Sequence, residues 1–238
     1  MPEKSPSPTP MNLLLIPFLL ATIFAKDQEI DYAGFKLEFR CQARSADRWE
    51  YSLIGPEGDA TRPSRFYLDP NLAPECQQYS VNSYQAVRPG FDRGHLVTSG
   101  HMDQTQALRI RSHYMSNIVP QVKSFNEGIW AEAERITSCK RERGIQVYGG
   151  VVYTDPSNDY FLESHGIATP DFMWKVLITA QVPQQVISWY IPNQEGLGDL
   201  DQYLLSVQDI ESKLNDELGP IPIPQALKGI KATQNWAC

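Results

Sequence analysis

Three long segments in the second half of the chain are rich in β-branched and aromatic residues, as strands of a protein core are. They span Ile145–Tyr153, Phe172–Val182 and Val186–Ile191. Parallel sheets need a crossover connection, usually helical, between successive strands, and no regular alternation of strand and helix runs along this sequence. The pattern therefore predicts an α+β fold with a central, largely antiparallel sheet flanked by helices.

Further elements are predicted on either side of these strands. Residues Tyr32–Phe39 alternate apolar and polar side chains well enough for a strand, and Trp49–Ile54 is a second candidate. Residues Asn126–Ser138 and Leu200–Glu217 repeat apolar side chains with the period of a helix. We expect the proline-rich tail from about Gly219 to be extended.

The first 25 residues resemble a secretory signal peptide. Their apolar run, Leu13–Phe24, ends at Ala25 and is shorter than the ~20 residues of a membrane-spanning helix. Translation could start at Met1 or at Met11, and the sequence leaves this open. We expect an exported chain, secreted or periplasmic, in which residues 26–238 form a single domain without stable membrane association.

Four cysteines, an even number, fit an exported chain with at least one disulfide. They permit three pairings, and one of the three joins Cys139 to Cys238 and Cys41 to Cys76. No two cysteines have the CxxC spacing of a zinc ribbon.

The net charge of −7 and the isoelectric point near 5.1 argue against a protein that permanently coats nucleic acid. They allow an enzyme that binds nucleic acid in a local basic cleft and then releases its product. Arginines that could supply such a cleft are Arg62, Arg65, Arg93, Arg109 and Arg111.

Three short blocks contain residues suited to phosphodiester cleavage. They are Phe91–His95 (Phe-Asp-Arg-Gly-His), Tyr114–Gln121 (Tyr-Met-Ser-Asn-Ile-Val-Pro-Gln) and Asn126–Trp130 (Asn-Glu-Gly-Ile-Trp). A histidine can take a proton from water, and an arginine can neutralise phosphate charge. An asparagine oxygen can hold a hard cation that keeps most of its water.

The order and spacing of these blocks resemble the DNA/RNA non-specific endonucleases, a family of the ββα-metal superfamily that includes mitochondrial endonuclease G. The resemblance extends from about Tyr32 to Leu218. It implies the ββα-metal fold, with Leu96–His101 as the expected β part of the metal finger. It also implies a metal-dependent endonuclease that cuts both DNA and RNA and leaves 5′-phosphates.

Carried over to this sequence, the resemblance makes His95 the general base and Asn126 the ligand of a hydrated Mg²⁺, with Mn²⁺ as an alternative. Glu134 lies eight residues after Asn126, about 80° further round a helix, and would reach the ion through a water. The competing interpretation of Asn126 is a helix N-cap.

Other residues of the blocks are candidates for binding or orienting phosphate. Arg93 and Asn117 are predicted at the catalytic centre, and Gln121 is predicted to assist. A further family arginine lies upstream of the histidine, and both Arg62 and Arg65 compete for that position.

Two other functions compete with this prediction. One is a zinc-dependent hydrolase that uses His95, His101 and His113, with Asp103 as a fourth ligand, although no HExxH pattern is present. The other is a nucleic-acid-binding module of the same fold with weak or lost catalysis. The sequence leaves the oligomeric state open.

Overall fold

Six antiparallel strands form the main sheet of the computed structural model, which describes Met1 and residues 27–238. Apart from Met1, the predicted signal peptide lies outside the described residues. The strands of this sheet, in spatial order, are β1 (Gln28–Asp31), β2 (Lys36–Arg40), β3 (Ser45–Leu53), β6 (Ile145–Val152), β7 (Phe172–Thr179) and β8 (Val186–Pro192). Every neighbouring pair is antiparallel, which confirms the predicted sheet and the α+β class.

Side chains alternate between the two faces of this sheet, so each face has its own hydrophobic core. The front face carries Trp49, Val147 and Leu177, which belong to the larger core. The back face carries Trp174 and Val176, which belong to a smaller core closed by the C-terminal part of the chain. The candidate site lies on the front side.

A two-stranded hairpin, β4 (Phe91–His95) with β5 (Ile118–Val122), stands on the front side. A π-helical turn follows at Phe125–Trp130 and continues directly into helix α2 (Ala131–Cys139). Hairpin, turn and helix together are called the finger below. The predicted helix over Asn126–Ser138 is therefore present, but its first turn is π-helical and has a non-helical residue at Gly128.

The prediction that Leu96–His101 forms the β part of the finger is wrong. The strand ends at His95, and a 3₁₀ turn covers Ser99–His101. The physical reason is Asn117, whose side chain hydrogen-bonds both the N–H and the carbonyl of Val97 and so takes the place of a partner strand.

The predicted helix Leu200–Glu217 is also wrong, because tertiary pairing overrides its helical pattern. Leu204 is extended and forms a β-bridge with Trp189, and Ser206 caps a new helix, α4, limited to Val207–Glu211. The predicted strand Tyr32–Phe39 begins in the turn between β1 and β2, so only its second half, from Lys36, is strand. Strand β3 starts at Ser45, before the predicted Trp49. The remaining helices are α1 (Gln106–Arg111), α3 (Leu162–His165) and α5 (Gln225–Lys228), the last of which interrupts the tail expected to be extended.

Both disulfides of one predicted pairing are formed. Cys41 is bonded to Cys76, and Cys139, the last residue of α2, is bonded to Cys238. The second bond ties the tail to the finger. In the described part of the chain, no helix has the length and apolarity needed to cross a membrane.

Candidate active site

Strand β4 and the helical part of the finger run side by side, and two side-chain hydrogen bonds fix their alignment. Asn126 Nδ2 donates to Asp92 Oδ2 at 3.0 Å. Thr98 Oγ1 donates to Glu134 Oε1 at 2.6 Å. His95, the last residue of β4, lies midway in the chain between Asp92 and Thr98, the two residues bonded to the predicted metal ligands.

The amide of Asn126 is oriented by Asp92. The Asp92 carboxylate accepts from Asn126 through one oxygen and from Gln85 Nε2, at 2.8 Å, through the other. Because the amide nitrogen of Asn126 faces the carboxylate, its carbonyl oxygen is the atom left to bind a cation. Asn126 does not cap the helical segment, since the residue at that position is Ser124.

The ring of His95 is half-buried against two other rings, Phe66 at 5.5 Å and His113 at 4.8 Å between centroids. Burial is the main cause that lowers the pKa of His95 well below its usual value, and the nearby His113 and Arg62 lower it further. The imidazole is therefore neutral at neutral pH. Its Nε2 is enclosed and has no hydrogen-bond partner among residues 27–238.

The two arginines that compete for the phosphate position have different surroundings. Arg62 is exposed, and its charge lowers the pKa of both His95 and His113. Arg65 instead lies over the ring of Tyr67, 5.2 Å from its centroid. Of the two, Arg62 is the one whose charge acts on the histidine.

Two further arginines border His95. Arg93 donates from Nη1 to the carbonyl of Val81 at 2.6 Å and stacks over Phe66 at 4.2 Å, so it braces the loop before the strand. Arg109, in the last turn of α1, is part-buried and also lowers the pKa of His95. The site is thus locally basic within an acidic chain.

Asn117 and Gln121 do not line an open cleft, contrary to the sequence prediction. Asn117 is completely buried, and its amide is used up in three hydrogen bonds to the backbone of Val97 and Ser112. Gln121 is equally buried, packed behind Gly94 so closely that a side chain there would overlap its amide. Both side chains are thus buried behind the segment that carries His95, and neither is exposed to solvent.

The three histidines of the zinc alternative do not converge. His101 is buried, and its two ring nitrogens are hydrogen-bonded to Tyr51 and Ser138 at 2.7 and 2.8 Å. Asp103 is committed to a two-bond ion pair with Arg141, at 2.9 and 3.1 Å. Within residues 27–238 no group of three or more His, Cys, Asp or Glu side chains could hold a metal ion.

The donor set does fit a magnesium ion that keeps most of its water. It consists of the oriented amide oxygen of Asn126 and the carboxylate of Glu134, both hard oxygen donors. Sequence analysis did not assign roles to Asp92, Thr98 or Phe66, the residues that orient these ligands and the base. The position of Asp92 inside the first block could have identified it as a site residue. No sequence feature identifies Thr98 or Phe66 in the same way.

Comparison with known proteins shows which family and which fold the chain resembles. A sequence profile described as DNA/RNA non-specific endonuclease matches residues 21–218. The chain is similar to the human mitochondrial nuclease EXOG, with 27% identity over 79% of this chain and 59% of that protein. It is also similar to a nuclease of Nostoc (25%, 65% of this chain, 59% of that one) and to nuclease C1 of Cunninghamella echinulata (27%, 67% and 68%).

The chain thus spans about three fifths of the human and Nostoc relatives. The crystal structure of the endonuclease G complex with its inhibitor EndoGI superposes with a TM-score of 0.64 and 19% identity. This superposition covers 79% of this chain and 84% of that one, and it confirms the predicted ββα-metal fold.

Proposed function

The chain belongs to the DNA/RNA non-specific endonuclease family, and we propose that it is a magnesium-dependent endonuclease that hydrolyses phosphodiester bonds in both DNA and RNA. The observation that carries the proposal is the amide of Asn126, whose nitrogen donates to Asp92 while its oxygen accepts no hydrogen bond from residues 27–238. A neutral histidine, His95, stands on the same strand as Asp92.

His95 is the general base. A ring nitrogen of the neutral imidazole accepts the proton of the attacking water. Arg62 and Arg109 lie near enough to lower the pKa of His95, and the same charges offset the negative charge that develops on the phosphate. Asn117 and Gln121 hold strand β4 in register behind the histidine.

Magnesium, with Mn²⁺ as a substitute, would be held by Asn126 directly and by Glu134 through water. When bound, it would polarise the phosphate and stabilise charge on the leaving oxygen. Asp92 and Thr98 keep the two ligands oriented through their hydrogen bonds.

Contacts of this kind are made to phosphate, which is the same in every sequence. The proposal therefore includes broad use of DNA and RNA and 5′-phosphate products. It also includes export of the chain after loss of residues 1–25, with residues 26–238 as one nuclease domain. Two disulfides are compatible with an oxidising compartment.

The test is cleavage of supercoiled plasmid and of a structured RNA by the purified protein, with Mg²⁺ and with EDTA. We expect both substrates to be cut with Mg²⁺ and neither with EDTA. A protein that retards nucleic acid in a gel but cuts neither substrate would be a binding module instead. Full activity in EDTA, together with stoichiometric zinc, would support the zinc-dependent hydrolase.

A further inference from the structure

Lys175 is a buried lysine whose ammonium has no hydrogen-bond partner among the described residues. It lies on the front face of strand β7 and is fully buried. Its Nζ has no hydrogen bond and stands 4.1 Å from the centroid of the Trp130 ring. A buried ammonium without a carboxylate partner is costly, so its presence beneath the finger calls for a physical reason.

The surroundings of Lys175 connect it to the metal ligands. Trp130 ends the π-helical turn that begins next to Asn126, and it is the tryptophan of the third sequence block. Trp49 packs edge-on against Trp130, at 6.3 Å, and occupies the space that a side chain at Gly149 would fill. The Trp130 side chain thus packs the helical segment against the sheet, and the ammonium of Lys175 lies against its ring.

The ammonium of Lys175 faces the ring of Trp130 and forms no ion pair within residues 27–238. The same ammonium lowers the pKa of the buried His101. Burial lowers the pKa of Lys175 to about 8, so most of the population remains charged at neutral pH. One cation therefore faces the helical segment that carries Asn126 and Glu134, from the side opposite to solvent.

We propose that Lys175 is a positioning residue of the metal site: its ammonium holds the ring of Trp130, and with it the turn that carries Asn126, in place. This inference rests on the proposed function. A methionine of similar length would fill the same space without desolvating a charge. Lys175 is therefore expected to lower the stability of the protein while it improves metal binding and catalysis.

The test compares Lys175→Met and Lys175→Gln with Lys228→Met as a matched control. Lys228 is also a buried lysine, but it lies on the back side and is paired with Glu211. For each protein we would measure the thermal unfolding midpoint, the Mn²⁺ affinity by paramagnetic resonance, and the rate of plasmid cleavage with Mg²⁺. The glutamine variant keeps a polar donor without the charge, in case the methionine variant does not fold.

We expect Lys175→Met to unfold at the same or a higher temperature than the wild type. Its Mn²⁺ affinity and its cleavage rate should both fall about 10-fold, the lower end of the loss seen when a group that orients a metal ligand is removed, because the turn that carries Asn126 loses its support. Lys175→Gln should lose metal affinity and rate to a similar extent. Lys228→Met should unfold at a lower temperature, with Mn²⁺ affinity and cleavage rate unchanged.

The proposal is overturned if either folded Lys175 variant keeps the wild-type Mn²⁺ affinity and rate. It is also overturned if both Lys175 variants lose stability in step with activity, as a merely structural residue would. A wild type that binds Mn²⁺ but cuts no substrate would contradict the proposed function alone, because the affinities still decide the role of Lys175. A wild type that binds no Mn²⁺ would contradict both.

Discussion

The two faces of the main sheet differ in whether certain buried polar groups have hydrogen-bond partners. On the back side, Arg48 forms two hydrogen bonds with Asp216, at 2.5 and 2.8 Å, and a third with the carbonyl of Gly219. Lys228 is likewise paired with Glu211. On the front side, Lys175 Nζ, His95 Nε2 and Trp130 Nε1 are enclosed without any hydrogen-bond partner among the described residues.

This difference separates groups that stabilise the fold from groups that serve the site. A buried polar atom without a partner costs free energy, and such atoms in native proteins often mark functional sites. The back side is not free of them, since the indole N–H of Trp174 is also unpaired. Among the buried cations of residues 27–238 named above, Arg48 and Lys228 on the back side are paired, and so is Arg141 with Asp103 near the finger; Lys175 is not.

The largest effect is expected for His95→Ala. Loss of a general base typically lowers the rate ~10²–10⁴-fold. The thermal midpoint should change little, because Nε2 makes no hydrogen bond that the variant would lose. Rates from plasmid cleavage and midpoints from circular dichroism check both expectations. A variant with most of the wild-type rate would remove His95 from the chemistry.

The corresponding experiment on the back side is Arg48→Met, which should change stability and not the cleavage rate. Removal of one partner of a buried ion pair leaves the other charge uncompensated, which typically costs about 3–5 kcal/mol. Denaturation in urea should show this loss, while the cleavage rate of the folded protein stays at the wild-type value. If the folded Arg48→Met protein lost most of its cleavage rate, the distinction between a stabilising back side and a catalytic front side would be wrong.

Acid should destabilise the front side through His101, whose pKa burial lowers from 6.5 to about 3. Because the folded pKa lies below the unfolded one, stability from the neutral ring is complete above pH 6.5 and is lost as the pH falls toward 3. The slope for one histidine is about 1.4 kcal/mol per pH unit. Urea denaturation between pH 7 and pH 4 measures it, and a His101→Gln variant should lack that part of the slope.

The smallest effect is expected for Arg62→Gln. It concerns the part of the pH–rate profile in which the cleavage rate falls as the pH decreases, called the acid limb below. The depressed pKa of His95 should keep the base deprotonated, and the rate flat, as the pH falls through 6.5. Arg62→Gln removes one charge that lowers this pKa, so its acid limb should move to higher pH by a fraction of a unit. Arg65→Gln is the control and should leave the limb in place. A limb that moves with Arg65 would reverse the choice between the two arginines.

The sequence is sufficient to predict the fold class and the order of the site blocks, because β-branched composition and block spacing are local properties. It predicts the long strands β6, β7 and β8 within a few residues. It fails at Leu200–Glu217, where a helical repeat is overridden by the pairing of Leu204 with Trp189.

The same limit applies to individual side chains of the site. The residue types of the second block are typical of residues that line a site, yet the side chains of Asn117 and Gln121 are buried in the interior. Lys175 stands between Trp174 and Val176 in a strand, and nothing local indicates that its ammonium is buried under Trp130. Direction and burial depend on contacts between residues far apart in the sequence.

The central claim is that the front side holds a hydrated Mg²⁺ through the oxygen of Asn126, oriented by Asp92. It is tested most directly by the plasmid cleavage rate as a function of Mg²⁺ concentration for the wild type and Asn126→Ala. We predict that the concentration at half-saturation rises at least ~10-fold in the variant, with a smaller rise in Glu134→Ala. An unchanged half-saturation concentration in Asn126→Ala would contradict the claim.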